Sequence, residues 1–456
     1  MLTKEQNVEL TGVGSGTVMG DLLRRYWIPA LLSCELEADG RPRRFRLLGE
    51  DILAFRDTNG KVGLVEPLCA HRGATLYFAR NEKGGLRCAF HGWKYDTNGK
   101  CLETPNESLD NMKDKISLVS WPAREAGGVV WAYLGPTEMM PQLPDFEWMK
   151  VPASHRLITY RVQYCNWVQA LEGGVDTSHI SFLHAPLDAE RPDDTVFSVA
   201  KSSLRIRMRD GHPRFETHDT DFGVMIGARR TAQKDRWDYW RISHFLMPFY
   251  NMVAPGGTDP TLPSKAWVPA DDGNCVNWSI TWHPTRPLEE TEIDELRRGL
   301  GAHYCDYLPE KPGPYGWALP RATADNDYLI DWDRQRKGMF SGILGVGLQD
   351  QAMQESAGPV CDRTREHLGG ADLAVSATRH RLRNAAEALR EKGVAPPGSE
   401  DGSVFLKRGA HMVIRPDQDW VKEAAHLIRS DSGMAFADAN RKVEEVNAAM
   451  AEDAGA

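Results

Sequence analysis

The sequence predicts an α+β chain: a small antiparallel β domain, followed by a larger domain in which an antiparallel sheet is flanked by helices. Three observations predict it. Two Asn-Gly turns punctuate short apolar runs in the first third, a Pro- and Met-rich stretch over 136–152 interrupts them, and strand-like alternation then resumes among longer helix-period segments. With 26% charged and 41% hydrophobic residues over 456 positions, a mainly disordered chain is excluded. The 8 cysteines are too few and scattered for a disulfide framework. A net charge of -9 opposes a nucleic-acid partner. No run reaches the ~18 apolar residues of a membrane span, and the first residues lack the pattern of an export signal. A cytoplasmic protein is expected.

Taken in order, Phe45–Leu48 and Asp51–Arg56 read as strands, and Asn59-Gly60 turns the chain into a third, Val62–Val65. Asn98-Gly99 follows the aromatic run Trp93–Tyr95, and Gly127–Leu134 is a further strand. After the Pro-rich junction, Leu157–Tyr164 reads as a strand and Trp167–Leu183 as a helix that Pro186 must end. Leu204–Met208, Phe215–Ala228, Trp237–Met247, Ala266–Val268 and Val276–Trp282 are expected to share one antiparallel sheet. Leu288–Leu300 and Ala371–Lys392 are amphipathic helices, and Tyr304–Gly347 is either surface loop or active-site cover.

Two constellations carry chemistry. Cys69-Ala70-His71 and Cys88-Ala89-Phe90-His91 set a Cys-His pair on each of two turns, with Gly73 and Gly92 close behind. Two thiolates on one iron and two imidazoles on the other are what a Rieske [2Fe-2S] centre needs, whereas structural zinc sites usually pair like ligands, so zinc is the weaker reading. Cys34, Cys101, Cys165, Cys275, Cys305 and Cys361 have no such neighbours and are expected in the core. The second constellation is Asp176, His179 and His184. Asp176 and His179 share one helical face, but His184 lies about 140° round a straight helix from His179. Only unwinding before Pro186 would let both rings reach one metal. A distant carboxylate would complete the facial triad that binds non-haem Fe(II). Alone, the histidine pair reads equally well as ordinary surface or core residues.

With both motifs in this order, the chain resembles the oxygenase subunits of the Rieske non-haem iron aromatic ring-hydroxylating oxygenases over nearly its whole length. It is most similar to their phthalate dioxygenase-like branch, which includes aromatic O-demethylases. The resemblance implies an N-terminal helical segment, 1–35, packed on the catalytic domain, a Rieske domain over 36–150 and a catalytic domain of helix-grip type over 151–456. It implies Cys69, His71, Cys88 and His91 as cluster ligands and His179 and His184 as ligands of a mononuclear Fe(II). The segment from Gly347 to Ser356 and on to Gly369 resembles the branch's late motif and nominates Asp350 as third ligand, with Glu355 and Asp362 as rivals. Asp176 is implied as the bridge between one subunit's cluster and its neighbour's iron; a carboxylate there would also orient His179. Gly173 departs from the pattern, since many relatives carry Asn at that place.

For substrate, Trp237, Tyr239, Arg241, Ser243, Phe245 and Met247 fall on one face of a strand, so Arg241 could hold an aromatic carboxylate. An ordinary ion-paired Arg241 is as good a reading, and Arg229 and Arg230 are equally ambiguous. The implied activity is that of a terminal oxygenase using dioxygen to oxidise an aromatic acid. Ring dihydroxylation is one outcome and O-demethylation of a methoxylated, lignin-derived acid the alternative. No glycine-rich nucleotide motif opens a helix, so electrons are expected from a separate flavin/iron-sulfur reductase fed by NAD(P)H. A homotrimer or dimer of trimers is implied. A Rieske electron carrier without oxygenase activity and a zinc-stabilised binding module are the rivals from other classes.

Overall fold

The computed structural model describes residues 1–108, 111–189 and 198–452. Helices α1 (Lys4–Thr11) and α2 (Val18–Leu23) precede strand β1 (Trp27–Leu32). Strands β2 (Arg43–Leu47), β3 (Glu50–Arg56) and β4 (Val62–Val65) follow, then β5 (Arg80–Glu82), β6 (Gly85–Arg87), β7 (Lys94–Tyr95) and β8 (Cys101–Glu103). Short strands β9 (Ser120–Trp121), β10 (Ala123–Ala126) and β11 (Val129–Tyr133) complete the first part. They build three antiparallel sheets, ordered β2-β3-β4-β9, β5-β6-β7-β8 and β1-β11-β10. The pentapeptide Asp-Thr-Asn-Gly-Lys occurs twice, at 57–61 and 96–100, and makes the same turn both times. Asp57 Oδ1 accepts from the Asn59 and Lys61 amides, and Asp96 Oδ1 from those of Asn98 and Lys100. These turns hold the β3–β4 and β7–β8 hairpins.

The second part opens with α3 (Glu147–Lys150), β12 (Arg156–Gln163), α4 (Trp167–Val175) and α5 (Leu204–Arg209). It continues through β13 (Arg214–Asp219), β14 (Gly223–Gln233), β15 (Trp237–Leu246), β16 (Tyr250–Met252), β17 (Leu262–Asp271) and β18 (Asn274–Trp282). After α6 (Glu290–Arg297), α7 (Trp332–Lys337), α8 (Val346–Ser356) and α9 (Leu373–Lys392) come β19 (Ala410–Ile414), α10 (Trp420–Ala424) and α11 (Ala435–Glu452). One eight-stranded sheet, ordered β12-β18-β17-β16-β15-β14-β13 with β19 added to β15, carries α4 and α9 against it. The main core joins α2, β1 and β11 of the first part to this sheet, while Leu53, Phe55, Leu76, Leu86, Trp93 and Tyr95 enclose a smaller core around Cys69 and Cys88.

Several expectations change. Leu204–Met208 is helical, not a strand: Leu204 and Ile206 are buried and the Ile206 amide donates to Asn447 of α11, a partner no local pattern announces. Phe215–Ala228 is two strands, because Thr220 closes a turn onto Gly223. Within the 1–35 segment expected to be helical, residues 27–32 form β1, which pairs with β11. Of the cysteines expected in the core, Cys101, Cys165 and Cys275 are buried, but Cys34 is exposed and Cys305 and Cys361 are half-buried. The helix expected over Trp167–Leu183 stops at Val175. Gly174 lies against Trp267 so closely that a Cβ would clash with the ring, and Asp176 Oδ1 accepts from both the amide and the hydroxyl of Ser178, turning the chain.

The largely enclosed Glu172 of α4, its side chain 12% exposed, ties three elements together. Its oxygens accept from Arg363 at 3.1 Å and Arg379 at 2.7 Å, and Arg379 also binds Glu366. Burial alone would raise the Glu172 carboxyl, but the two guanidinium groups hold it below its ordinary value. Glu172→Ala is therefore expected to cost about 3–5 kcal/mol in denaturant unfolding at pH 7. Because the folded value is depressed, that contribution is full above the ordinary value of 4.5 and is lost as pH falls through the folded one, so wild type and variant converge in acid.

Candidate metal centres

The two Cys-His loops are built alike. The Cys69 amide donates to the Ala74 carbonyl and the Gly73 amide to the Cys69 carbonyl; the Cys88 amide donates to Trp93 and the Gly92 amide to Cys88, at 2.8–2.9 Å throughout. Both closures need a left-handed residue, and Gly73 (φ +71°) and Gly92 (φ +77°) supply it. The loops converge. The His71 and His91 rings lie 4.5 Å apart, edge to face, and Trp93 stacks on His71 at 4.5 Å. His71 Nδ1 is buried with no hydrogen-bond partner among the described residues, as an imidazole nitrogen awaiting a metal would be. Tyr95 Oη stands 3.2 Å from Cys69 Sγ, in position to donate to a thiolate. The donor set fits a Rieske cluster.

Beyond α4, a single 3-10 turn over His179–Ser181 replaces the expected helix and brings His184 back toward His179. Arg230 secures this turn by donating to the Thr177 carbonyl at 2.6 Å. His179 Nε2, His184 Nε2 and Asp350 Oδ1 then form a triangle with edges of 3.1, 3.0 and 3.5 Å. Adjacent ligands on a metal with bonds of about 2.1 Å lie about 3.0 Å apart, so the triangle fits the face of a metal site. Glu355 and Asp362 lie outside this triangle and have other partners. Glu355 accepts from Tyr328 Oη, Gln351 and the Tyr164 amide, and Asp362 caps Thr364.

Each ring is oriented from behind. His179 Nδ1 faces Asp176 Oδ2 at 3.3 Å, and His184 Nδ1 faces Gln349 Oε1 at 2.6 Å. Gln349 in turn donates to the Ile343 carbonyl. Without a metal, burial disfavours charge on His179, but the carboxylates of Asp176 and Asp350 outweigh it and push the ring up to about 9. Burial lowers His184. Asp350, which burial alone would raise, is held well below the usual carboxylate range by Lys265 and the histidines.

The triad opens into a cavity of about 190 Å³ that also contains Lys265, Arg207, Arg241 and Ser243. A cavity of about 150 Å³ takes a benzene ring, so one aromatic ring fits. Arg241 lies in this cavity and has no ion-pair partner among the described residues, unlike Arg229, which binds Asp238 at 3.3 Å. The flanking aromatics do not surround Arg241: Tyr239 is buried against His411, and Phe245 joins the core. The 304–347 stretch is not a free loop but packs beside the site. Phe340 meets Phe182 edge to face, its amide donates to Ala185, and Ile343 backs Gln349. Sequence reasoning missed Gln349, Lys265 and Arg207. A lysine inside the otherwise apolar run around Ala266–Val268 was the available signal for Lys265; nothing local marked the other two.

With this geometry in view, similarity is decisive. The Rieske [2Fe-2S] domain family matches residues 26–115, and the family described as LigXa C-terminal domain like matches 132–443. The chain is 37% identical to the 3-chlorobenzoate-3,4-dioxygenase oxygenase subunit of Comamonas testosteroni, over 92% of this chain and 96% of that one. The chain belongs to the Rieske non-haem iron oxygenases. It is also 32% identical to the phthalate 4,5-dioxygenase oxygenase subunit of Pseudomonas putida (92% and 94% covered) and 30% identical to the 5,5'-dehydrodivanillate O-demethylase oxygenase subunit of Sphingobium sp. strain NBRC 103272 / SYK-6 (84% and 80%). The Pseudomonas putida CBB5 NdmA QL mutant with theobromine shares its fold at TM-score 0.57 and 18% identity, covering 88% of this chain and 99% of that one. This Rieske oxygenase is thus the oxygenase component of a system with a separate reductase, using a [2Fe-2S] cluster and mononuclear iron. No described helix is long and apolar enough to cross a membrane.

Tyr95→Phe removes a donor beside the Cys69 sulfur and should lower the cluster midpoint potential. A hydrogen bond of ~1 kcal/mol corresponds to roughly 40 mV for one electron. Protein-film voltammetry measures the shift, with the visible spectrum as a check that the cluster is retained.

Proposed function

We propose that this oxygenase dihydroxylates an aromatic carboxylate, with Cys69, Cys88, His71 and His91 holding the cluster and His179, His184 and Asp350 holding Fe(II). When bound, the cluster passes electrons singly and the ferrous ion supplies dioxygen activation. The observation that carries the substrate class is Arg241, a guanidinium without an ion-pair partner among the described residues, in the same cavity as the triad. It offers a planar fork to a carboxylate, with Arg207 adding positive charge nearby. The apolar remainder of the cavity takes the ring. Two of these relatives are named for oxygenation of 3-chlorobenzoate and phthalate, both aromatic acids. Likeness to an O-demethylase supports a second outcome at the same site.

Dioxygen uptake by anaerobically loaded enzyme with a reductase and NADH, tested against benzoates, phthalates and methoxylated benzoates, decides among these readings. Diol without formaldehyde supports dihydroxylation, and formaldehyde supports demethylation. No substrate-stimulated uptake would favour a bare electron carrier. Arg241→Met should raise KM for the acid about 30-fold, the equivalent of ~2 kcal/mol, while the same change should leave uncharged analogues little affected.

Asp176 is read as the bridge between subunits of a trimer working in the cytoplasm. Among the described residues no hydrogen bond, ion pair or ring contact links the Cys-His loops to the triad within one chain. Exposed Leu68, Phe78 and Phe90 rim the cluster loops, and exposed Phe182 and Phe340 rim the triad, which suits head-to-tail closure into a ring. Asp176→Asn should retain cluster, iron and trimer yet reduce coupled turnover roughly 100-fold. Single-turnover kinetics and light scattering test it; a fully active variant or an active monomer overturns the bridge.

A further inference from the structure

The carboxylate of Asp350 faces two ways. Oδ1 points at His184 Nε2 and His179 Nε2, at 3.0 and 3.5 Å, whereas Oδ2 accepts from Lys265 Nζ at 3.1 Å. Lys265 belongs to β17, an inner strand paired on one side through Asn251 of β16 and on the other through Ser279 of β18, so its backbone is held along both edges. Its side chain is 14% exposed, and Asp350 is the one carboxylate within ion-pair distance of it among the described residues.

A lysine is almost never buried without a partner. Here the cost is greater, because a dication at the triangle would stand on the far side of the same carboxylate and repel the ammonium. If the position needed only volume, an apolar side chain of similar length would pack at lower cost. What an ammonium adds is a fixed, charge-assisted hydrogen bond to one particular oxygen.

Resting on the reading of Asp350 as a metal ligand, we propose that Lys265 is a positioning residue that engages Oδ2 and so makes Asp350 a one-oxygen ligand. Asp350 would then take up one position on a metal held by the triad rather than two, leaving more of it free for ligands from the cavity.

The test uses the full-length protein with its cluster intact and Co(II) in the mononuclear site, so that cobalt K-edge absorption, which the cluster irons do not share, reports that site alone. Wild type should show a one-oxygen carboxylate. Lys265→Met should raise the coordination number by one as Oδ2 turns to the metal, and Lys265→Arg, which restores a cationic donor, should return toward the wild-type spectrum. The cluster absorption of each variant verifies folding; if Lys265→Met loses it, Lys265→Gln takes its place in the comparison. An unchanged cobalt spectrum in a folded Lys265→Met or Lys265→Gln overturns the proposal. Asp350→Ala separates the two readings: if it still binds cobalt with full affinity, the ligand assignment itself fails, whereas lost binding beside an unchanged Lys265 variant removes only the role of Lys265.

Discussion

The catalytic half of this protein depends on holding one buried carboxylate, Asp350, where two histidines from another part of the chain can meet it. A buried anion is tolerated only with compensating charge and hydrogen bonds. Lys265 and the histidines supply these directly, at 3.0 to 3.5 Å. Every other feature of the site follows from keeping that arrangement rigid. The 3-10 turn at His179, the Arg230 strut beneath it and the Gln349 contact behind His184 each remove a way for the triangle to open.

Helix α8 is the beam on which this rests. Its inward polar residues reach, one after another, to different elements. Gln349 reaches His184, Gln351 accepts from Arg161 of β12 at 2.6 Å, Gln354 accepts from Gln163, and Glu355 accepts from Tyr328 and Tyr164. A helix tied at successive turns cannot rotate without breaking several buried bonds at once, which fixes the direction of the Asp350 side chain. Gly173, the departure from the family pattern, belongs to the same scheme. A Cβ there would lie 2.2 Å from Gln354 Nε2, so its absence leaves room for that glutamine.

The iron–sulfur half solves a similar problem by other means. There the candidate ligands are close in sequence, and two short hairpin-like loops with the same amide–carbonyl closures bring them together. Local backbone geometry suffices for this. The repeated Asp-Thr-Asn-Gly-Lys turns, a small separate core and Trp93 stacked on His71 keep the loops in place without help from the large sheet.

That contrast explains what could be read in advance. The Cys69, His71, Cys88 and His91 set, the Asn-Gly hairpins, the strands around them and the amphipathic α9 were all legible, because their causes lie within a few residues: turn chemistry, ligand spacing and apolar periodicity. The end of α4 was misplaced because it depends on Gly174 meeting Trp267, a contact between positions about a hundred apart. Leu204–Met208 looked like a strand because its alternation ignores the α11 helix that buries it. The choice of Asp350 over Glu355 and Asp362 came from family resemblance, since spacing alone treats the three acids alike. Their different partners arise only when α8 is laid against β12, β17 and the 304–347 stretch. The sequence by itself determined the chemistry available, thiolates, imidazoles, carboxylates and a few buried cations. Which of these share a metal, a proton or a cavity was decided by the tertiary structure, because burial and charge pairing act between residues that are close only after folding.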